Sequence, residues 1–382
     1  MRSAKPLEEN LTHKMEDIIL VTADSVRYDF VEKMDFIGSK DVVQGKTAAH
    51  YTRPSLASLL SSSYIAAGQS RVITPSLPEV LSDNGYTCIG FGCSPQLDEE
   101  FGFGDGFDEY TKYGSKGNRG NPIRERLSQV DILRRLYHRF YPPHAKIDHL
   151  PTDEEVLSEA VKSFNDAESP RFLWVHLIDT HRPYGRGENR ISKDLDKKAV
   201  LSETQLEPDS HQKIIDSYIR SLQETDKKIQ SFVEEVDSED SIFVFTSDHG
   251  DEFGEEGYYF HQPQRRRVSE SLITVPVAVE GLDTDSMMMN LVDIAPTITG
   301  EIGVDTPPSW NGYDLRREKR DHSITIAPWN NKATVKLDTG KLEIVFDGNK
   351  PVFKEMGSEI KGKTEDIPED MKRNLRDLGY IE

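Results

Sequence analysis

Three short apolar runs constrain the fold more than any other feature of this chain. DIILVTAD (17–24), RFLWVHLID (171–179) and SIFVFTSD (241–248) are continuous rather than alternating, and rich in β-branched and aromatic residues. Such a strand has to be covered on both faces, which is the situation inside a parallel sheet. Helical patterns separate the runs: PSLASLLSS follows the first, PTDEEVLSEAVKSF precedes the second and IIDSYIRSLQETDKKIQSFVEEV precedes the third. Strands alternating with helices predict an α/β/α sandwich around a mostly parallel sheet. A length of 382 residues suits one large domain of this kind with a smaller appendage. The appendage is expected near the end, where KATVKLDTGKLEIVFDG (332–348) alternates around Asp338-Thr339-Gly340 as a hairpin does. EDMKRNLRDLGYI then reads as a closing helix stopped at Gly379. The expected divisions are an extension over 1–16, a main domain over 17–320 and a small α+β subdomain over 321–382.

Each run also ends in a residue that can bind metal or move a proton. The first ends at Asp24, the second at Asp179 followed by His181, and the third at Asp248-His249. Ligands of open α/β sheets bind beyond the carboxyl ends of the strands, so these ends are expected to converge. A single aspartate in such a place often only caps the next helix. Three such ends, two of them with histidine, outweigh that reading. The candidate nucleophile is Thr52 in HYTRPSLASLLSS, immediately ahead of a helix whose first turn holds Pro54. A hydroxyl there faces free backbone N–H groups and the positive end of the helix dipole. Taken alone, Thr52 reads as a helix cap; the strand-end ligands shift the balance toward chemistry.

The 47 basic and 67 acidic residues leave a net charge of −20, which argues against nucleic-acid binding because phosphate contacts need a basic face. MRSAKPLEENLTHKMED carries no apolar signal-peptide core, and no run approaches the roughly 20 apolar residues that cross a bilayer. A cytoplasmic protein is expected. Cys88 and Cys93, in NGYTCIGFGCSP, make neither a disulfide framework nor a zinc motif and read as small buried thiols.

Taken in order, VTADSVRYDF, YTRPSLASLL, DTHRPY, TSDHGDEFGEEG, His261, VPVAV, LVDIAPTITGEIGV, NGYDL and a terminal DLGY resemble the sulfatase branch of the alkaline-phosphatase superfamily. The resemblance runs from about residue 17 to the C-terminus and implies an alkaline-phosphatase-like α/β/α sandwich. It implies that Asp24 is the first-strand metal ligand, that Thr52 is both nucleophile and metal ligand, and that Asp248 and His249 are the third-strand ligand pair. His181 is implied beside the leaving group or transferred anion, and His261 against the anion. Arg53 and Arg27 are candidate anion contacts, with an ordinary ion pair as the alternative for each.

Several departures bear on the substrate. True sulfatases convert a cysteine or serine at the nucleophile position to formylglycine, and Thr52 cannot be oxidised to that aldehyde. Their paired aspartates on the first strand are Asp24-Ser25 here, their Lys-x-His element is GFGCSP, and His249 stands where calcium-binding sulfatases often carry Asn. A threonine with an Asp-His pair is more similar to the phosphodiesterase and phosphoglycerol- or phosphoethanolamine-transferase relatives. A threonine hydroxyl on a divalent cation can accept a phosphoryl group. Carboxylate, hydroxyl and imidazole donors favour Zn²⁺ or Mn²⁺ over an all-oxygen Ca²⁺ cage, with Ca²⁺ or Mg²⁺ as alternatives. Asp179, His181 and His261 are candidates for a second metal or for the leaving-group site. Their Asp-x-His spacing is tight, and one metal is favoured.

The expected activity is therefore metal-dependent hydrolysis or transfer of a phosphate ester or diester through Thr52. The alternatives are a sulfate-ester hydrolase without formylglycine and a non-catalytic relative that binds an anionic partner. Residues 112–146 run against the overall charge, with nine Lys/Arg against Glu125 and Asp131. Within them VDILRRLYHRFY reads either as an ordinary helix with a solvated basic side or as a dock for an anionic polymer, lipid head group or membrane surface. Arg265, Arg266 and Arg267 are expected to add positive charge near the site entrance.

Overall fold

The side chains of the first run go alternately to two different cores. The computed structural model describes residues 16–114 and 147–355, apart from 188–189, 239–240, 283–287, 321, 330–331, 338–339 and 348–349. In it β1 (Asp17–Ala23) lies between β5 (Arg171–Leu177) and β6 (Ser241–Ser247) and runs parallel to both. Ile19, Val21 and Ala23 enter one core with Leu173, Val175, Leu177, Phe243 and Phe245. Ile18 and Leu20 enter the other with Phe172, Trp174, Ile242 and Val244. Burial on both faces is why these runs show no polar alternation. Each side chain so buried contributes about 1.5–3 kcal/mol relative to exposure.

Helices close both cores. On the first face, Asp153–Asp166 supplies Val156 and Phe164, and Pro208–Glu235 supplies Tyr218 and Leu222. The first of these helices starts at a capping box in which Thr152 and Glu155 each satisfy the other's backbone N–H. On the second face, Thr52–Ser61, Leu77–Asp83 and Ile294–Glu301 supply Leu56, Leu81 and Ile298. The result is the α/β/α sandwich that the run pattern predicts.

Shorter strands widen the sheet to eight: β2 (Val42–Lys46), β3 (Thr87–Gly92), β4 (Glu109–Lys112), β7 (Thr274–Glu280) and β8 (Met288–Asn290). The order is β4-β3-β5-β1-β6-β7-β2-β8, with β7 antiparallel to both its neighbours and every other pairing parallel. Among the described residues no helix is long and apolar enough to cross a membrane.

The hairpin expected over 332–348 forms between β10 (Lys332–Leu337) and β11 (Gly340–Asp347). It sits inside a four-stranded antiparallel sheet, flanked by β9 (Ile324–Trp329) and β12 (Lys350–Glu355). This sheet is stitched to the approach to Thr52: Ile326 N donates to Ala48 O (2.8 Å) and Thr325 Oγ1 donates to Thr47 O (2.6 Å). Lys46 and Lys336 add to the seam by sharing Glu270. Residues 1–15, most of the basic segment (115–146) and the expected closing helix lie outside the described residues.

Ala23 stands opposite both Leu177 and Ser247, so the three central strands release the chain at one edge of the sheet. At the other end, Asp17 and Arg171 open β1 and β5 as a buried pair, 7% and 6% exposed. The Asp17 carboxylate accepts from Arg171 N (2.8 Å), Nε (3.2 Å) and a guanidinium NH2 (2.6 Å), and the guanidinium lies over the Phe164 ring. Burial raises the Asp17 carboxyl, but the bonds from Arg171 outweigh it and hold the group below its ordinary value. The pair's contribution is therefore complete above the ordinary carboxylate pKa and is lost as pH falls through the depressed one. Asp17→Ala strands a buried guanidinium and is expected to cost about 3–5 kcal/mol in urea unfolding at pH 7. The gap from wild type should narrow toward pH 3; a gap that is small at pH 7 or constant with pH contradicts this account.

Candidate active site

The site is assembled where the three central strands end and one helix begins. Asp24 N donates to Leu177 O (3.0 Å) and Asp248 N to Ala23 O (3.4 Å), so the ladder carries the two aspartates side by side past the last strand residues. Thr52 is the first residue of its helix, and Tyr51, not Thr52, occupies the cap position. Ser55, one turn later, donates its hydroxyl to Asp248 O (2.5 Å) and fixes the helix start to the end of β6. Asp24, Thr52, Asp248 and His249 are at most 1% exposed.

Their polar atoms face one another. Thr52 Oγ1 donates to Asp24 Oδ2 (3.2 Å) and lies 3.4 Å from His249 Nε2. His249 Nε2 is 3.4 Å from Asp248 Oδ2 and 3.9 Å from Asp24 Oδ1. The His249 Nδ1–H donates to Gly250 O (2.9 Å), which turns Nε2 to the site. His261 is held the same way: Asp251 Oδ1 receives its backbone N–H (2.6 Å) and its Nδ1–H (2.7 Å), while Tyr184 OH donates to Asp251 Oδ2 (2.6 Å). The His261 ring is 4.3 Å from that of His249 and 5.0 Å from that of part-buried His181. The structure thus brings Asp24, Thr52, Asp248, His249, His261 and His181 into one cluster.

Burial pushes the Asp24 carboxyl up, but the surrounding imidazoles, His181 foremost, outweigh it and hold the group well below its usual range. Asp248, equally buried and beside that charge, is pushed well above. Burial and the neighbouring His249 press His261 down to about 4 against the pull of Asp251, so its imidazole is neutral at pH 7. Two carboxyls that cannot both stay charged in so small a buried space are the arrangement a divalent cation relieves.

The donor set fits such a cation. Asp248 Oδ1 is saturated by the N–H groups of Ser25 (3.1 Å) and His249 (2.8 Å), whereas Oδ2 is buried with no hydrogen-bond partner among the described residues. A tetrahedral shell with ligand bonds of about 2.1 Å has edges of about 3.4 Å. The four spacings given above, from 3.2 to 3.9 Å, bracket that edge. Asp24, His249 and His261 form one set of donors lying within 4.8 Å of one another; Asp24, His176 and Asp248 form a second.

Three expectations are corrected. Asp179 does not join the site: its carboxylate is held by Arg186 Nε (2.6 Å) and Lys228 Nζ (2.8 Å), so a second metal through Asp179 has no free oxygen to use. Arg27 is buried and committed, with its guanidinium on Asp29, Glu255 and Asp251 O and stacked over Phe30 and Phe253. It holds the 251–255 loop and is not an anion contact. Arg265 and Arg267 are paired with Glu203 and with Glu252 and Glu256, which cancels much of the charge expected near the entrance. Arg53 lies part-buried beside Thr52, its guanidinium 3.7 Å over Phe101 and its Nε donating to Gln96 O. Among the described residues no carboxylate forms an ion pair with it.

Sequence reasoning missed four contributors. His176 lies inside a run read as plain core, and Ser25, Asp251 and Tyr184 were passed over within recognised motifs. Ser25 has a φ of 62° and donates its hydroxyl to Asp24 Oδ1 (2.6 Å). The usable signal for His176 was a lone imidazole in an otherwise apolar stretch, and for Asp251 a second aspartate in TSDHGDEFGEEG.

An α/β/α sandwich with carboxylates and imidazoles on adjacent strand ends and a hydroxyl at a helix start defines the alkaline-phosphatase-like class. Within it the chain belongs to the sulfatase family, whose family model matches residues 16–304. It is similar to N-acetylglucosamine-6-O-sulfatase of Bacteroides thetaiotaomicron, with 27% identity over 149 residues; the match covers 37% of this chain and spans only 25% of that relative's length. Among solved structures it is similar to a 2-O GAG sulfatase (TM-score 0.63, 12% identity, 96% of this chain and 91% of that one). The lipoteichoic acid synthase LtaP of Listeria monocytogenes follows (0.58, 15%, 97% and 93%). The C-terminal periplasmic domain of Escherichia coli EcEptC, in complex with Zn, is also similar (0.57, 13%, 82% and 89%). At these identities the structural likeness concerns the fold.

Asp251 touches the cluster only through His261. Asp251→Asn weakens the bond that fixes the His261 tautomer, and an outer partner of this kind is worth about 10- to 100-fold in metal affinity or activity. That loss is expected with an unchanged far-ultraviolet circular dichroism spectrum; full activity and full metal affinity in the variant would remove Asp251 from the account.

Proposed function

We propose that this chain cleaves a phosphate ester or diester, or transfers its phosphoryl group, through Thr52, with a divalent cation held by Asp24, Thr52, Asp248 and His249. One observation carries the reading: Thr52 Oγ1 lies within 3.2–3.4 Å of Asp24 Oδ2 and His249 Nε2, on the first residue of a helix. The cation, when bound, supplies the positive charge that favours the ionised hydroxyl and offsets charge on the transferred group. Carboxylate, hydroxyl and imidazole donors suit Zn²⁺ or Mn²⁺. The zinc in the EcEptC domain supports that preference.

The chain's own residues divide the remaining work. Thr52 Oγ, its proton released to water, forms the new bond to phosphorus as the ester P–O bond breaks, and the departing oxygen takes a proton from His181, because the one hydrogen of neutral His261 is on the Nδ1 that faces Asp251. The free N–H groups of the first helical turn and Arg53 face the negative oxygens of the group in transit. Water or a second hydroxyl then attacks the phosphothreonine, gives its proton to the same imidazole and restores Thr52. The substrate is an anionic ester, polymeric or lipid-linked in the fuller form of the proposal. LtaP, a lipoteichoic acid synthase, supports the transfer reading.

Hydrolysis of a sulfate ester without formylglycine is the second reading, favoured by the family model and by the N-acetylglucosamine-6-O-sulfatase match. Aryl phosphate, aryl phosphodiester and aryl sulfate assayed with Zn²⁺, Mn²⁺, Ca²⁺ and Mg²⁺ separate the two. Turnover of a phosphate substrate is expected to exceed that of the sulfate and to vanish in excess EDTA; the reverse preference would establish the sulfatase reading. Binding of all three esters without turnover would establish a non-catalytic relative.

Replacing the attacking oxygen tests the mechanism directly. Thr52→Ala is expected to lower kcat by at least about 1000-fold, because it removes the nucleophile and a ligand together. Thr52→Ser keeps the oxygen and should keep measurable turnover. Wild-type kcat in Thr52→Ala would transfer the nucleophile's role to water.

A further inference from the structure

His176 has no part in the reaction proposed above, yet it is buried beside the site with one ring nitrogen unsatisfied. It sits inside β5, in register with Thr22 of β1 and Gly92 of β3, and is completely buried. A core histidine normally satisfies both ring nitrogens. This one satisfies Nδ1 alone, which lies 3.0 Å from Thr22 Oγ1, while Nε2 is buried with no partner among the described residues.

The hydrogen bonds around Thr22 accommodate a His176 tautomer with its proton on Nδ1, because the Thr22 hydroxyl has the Val175 carbonyl to donate to. Thr22 Oγ1 receives the Trp174 indole N–H (3.2 Å) and gives its own hydrogen to Val175 O (3.2 Å). With that hydrogen spent, the contact to His176 is made by an Nδ1–H donating to the hydroxyl. His176 Nε2 is then a bare lone pair, 3.8 Å from Asp24 Oδ2. The third member of this buried group is Asp248 Oδ2, also without a hydrogen-bond partner among the described residues, and donor atoms of all three residues lie within 4.8 Å of one another. Acceptors do not face acceptors in a buried space unless something positive lies among them.

We infer that His176 is a direct ligand of the cation through Nε2, so that the centre has two imidazoles, two carboxylates and the Thr52 hydroxyl. The inference rests on the metal centre of the proposed function and extends it. His176 binds the ion from within the sheet, and complete burial keeps it from the ester. Thr22 and Trp174 act as the outer partners that orient a ligating imidazole. Trp174 in turn is stacked against Phe103, Phe107 and Tyr110, so packing in the second core fixes the ligand's tautomer. A second imidazole also moves the centre further from a calcium site and toward zinc, cobalt or manganese.

The test uses the full chain stripped of metal and reloaded. Zn²⁺ affinity is measured by competition with a chromogenic chelator, and the visible spectrum is recorded with Co²⁺. His176→Asn keeps an amide N–H where Nδ1–H meets Thr22 but removes Nε2, and Asp24→Asn is the control for the centre itself. His176→Asn is expected to raise the Zn²⁺ dissociation constant on the order of 100-fold, at the upper end of what outer partners cost. It should also shift the Co²⁺ bands while the metal-free protein melts as wild type does. Unchanged affinity and an unchanged Co²⁺ spectrum in His176→Asn, with binding lost in Asp24→Asn, would leave the centre standing and overturn the role of His176. Absence of stoichiometric Zn²⁺ binding by the wild type would overturn the centre and this inference together. Should His176→Asn fail to fold, a crystal structure of the zinc-loaded wild type decides. An Nε2–zinc distance of about 2.0–2.1 Å supports ligation, and one beyond about 3 Å overturns it.

Discussion

The register that sets Ala23 opposite both Leu177 and Ser247 governs everything at the reactive end of this molecule. Parallel strands in step end in step, and whatever follows their last paired residue is delivered to one edge. Two aspartates therefore meet there with their backbones still tied to the ladder. A slip of one residue in either pairing would turn an aspartate into the opposite core and dismantle the site. The apolar alternation within the strands is what forbids that slip, because Ile18 and Leu20 cannot exchange faces with Ile19 and Val21 without breaking both cores. Stability and placement of the chemistry thus come from the same residues.

Electrostatics then sharpens what the register delivers. Asp24 and Asp248 are too close and too dry to ionise freely together, and the imidazoles divide their effects between them. Each imidazole is aimed by an anchor on its far nitrogen: Gly250 O for His249, Asp251 for His261 and Thr22 for His176. The anchors come from a loop carbonyl, a buried carboxylate and a strand hydroxyl, so no single segment sets the pocket. Gly250 shows how tight the frame is: a Cβ there would stand 2.1 Å from Ser271 O, and only glycine lets the chain turn beneath His249.

What the sequence disclosed and what it withheld follow one physical divide. Strands buried on both faces announce themselves by composition, and Asp24, Thr52, Asp248 and His249 stand at the ends of elements where position carries meaning. His176 was hidden because nothing local separates a core histidine from a ligand; only Thr22 and Trp174, more than 150 residues from one another in sequence, distinguish them. Arg27 and Asp179 misled for the same reason. Their fates are set by Glu255 and Lys228, whose approach depends on the fold. The antiparallel sense of β7 was equally unreadable, since VPVAV has the same pattern in either direction.

The seam between β9 and the Thr47–Ala48 backbone has a bearing on how the molecule is made. Its partners Thr47 and Thr325 are 278 residues apart, so Thr52 leaves the ribosome long before the strand that braces its approach exists. A chain synthesised N-terminus first can build β1 and collapse its early helices. It cannot complete the surroundings of residue 52 until its last sheet has been translated. The surroundings of Thr52 are therefore completed only after residue 325 has been made, and a nascent chain stalled before it would be folded in part without this seam.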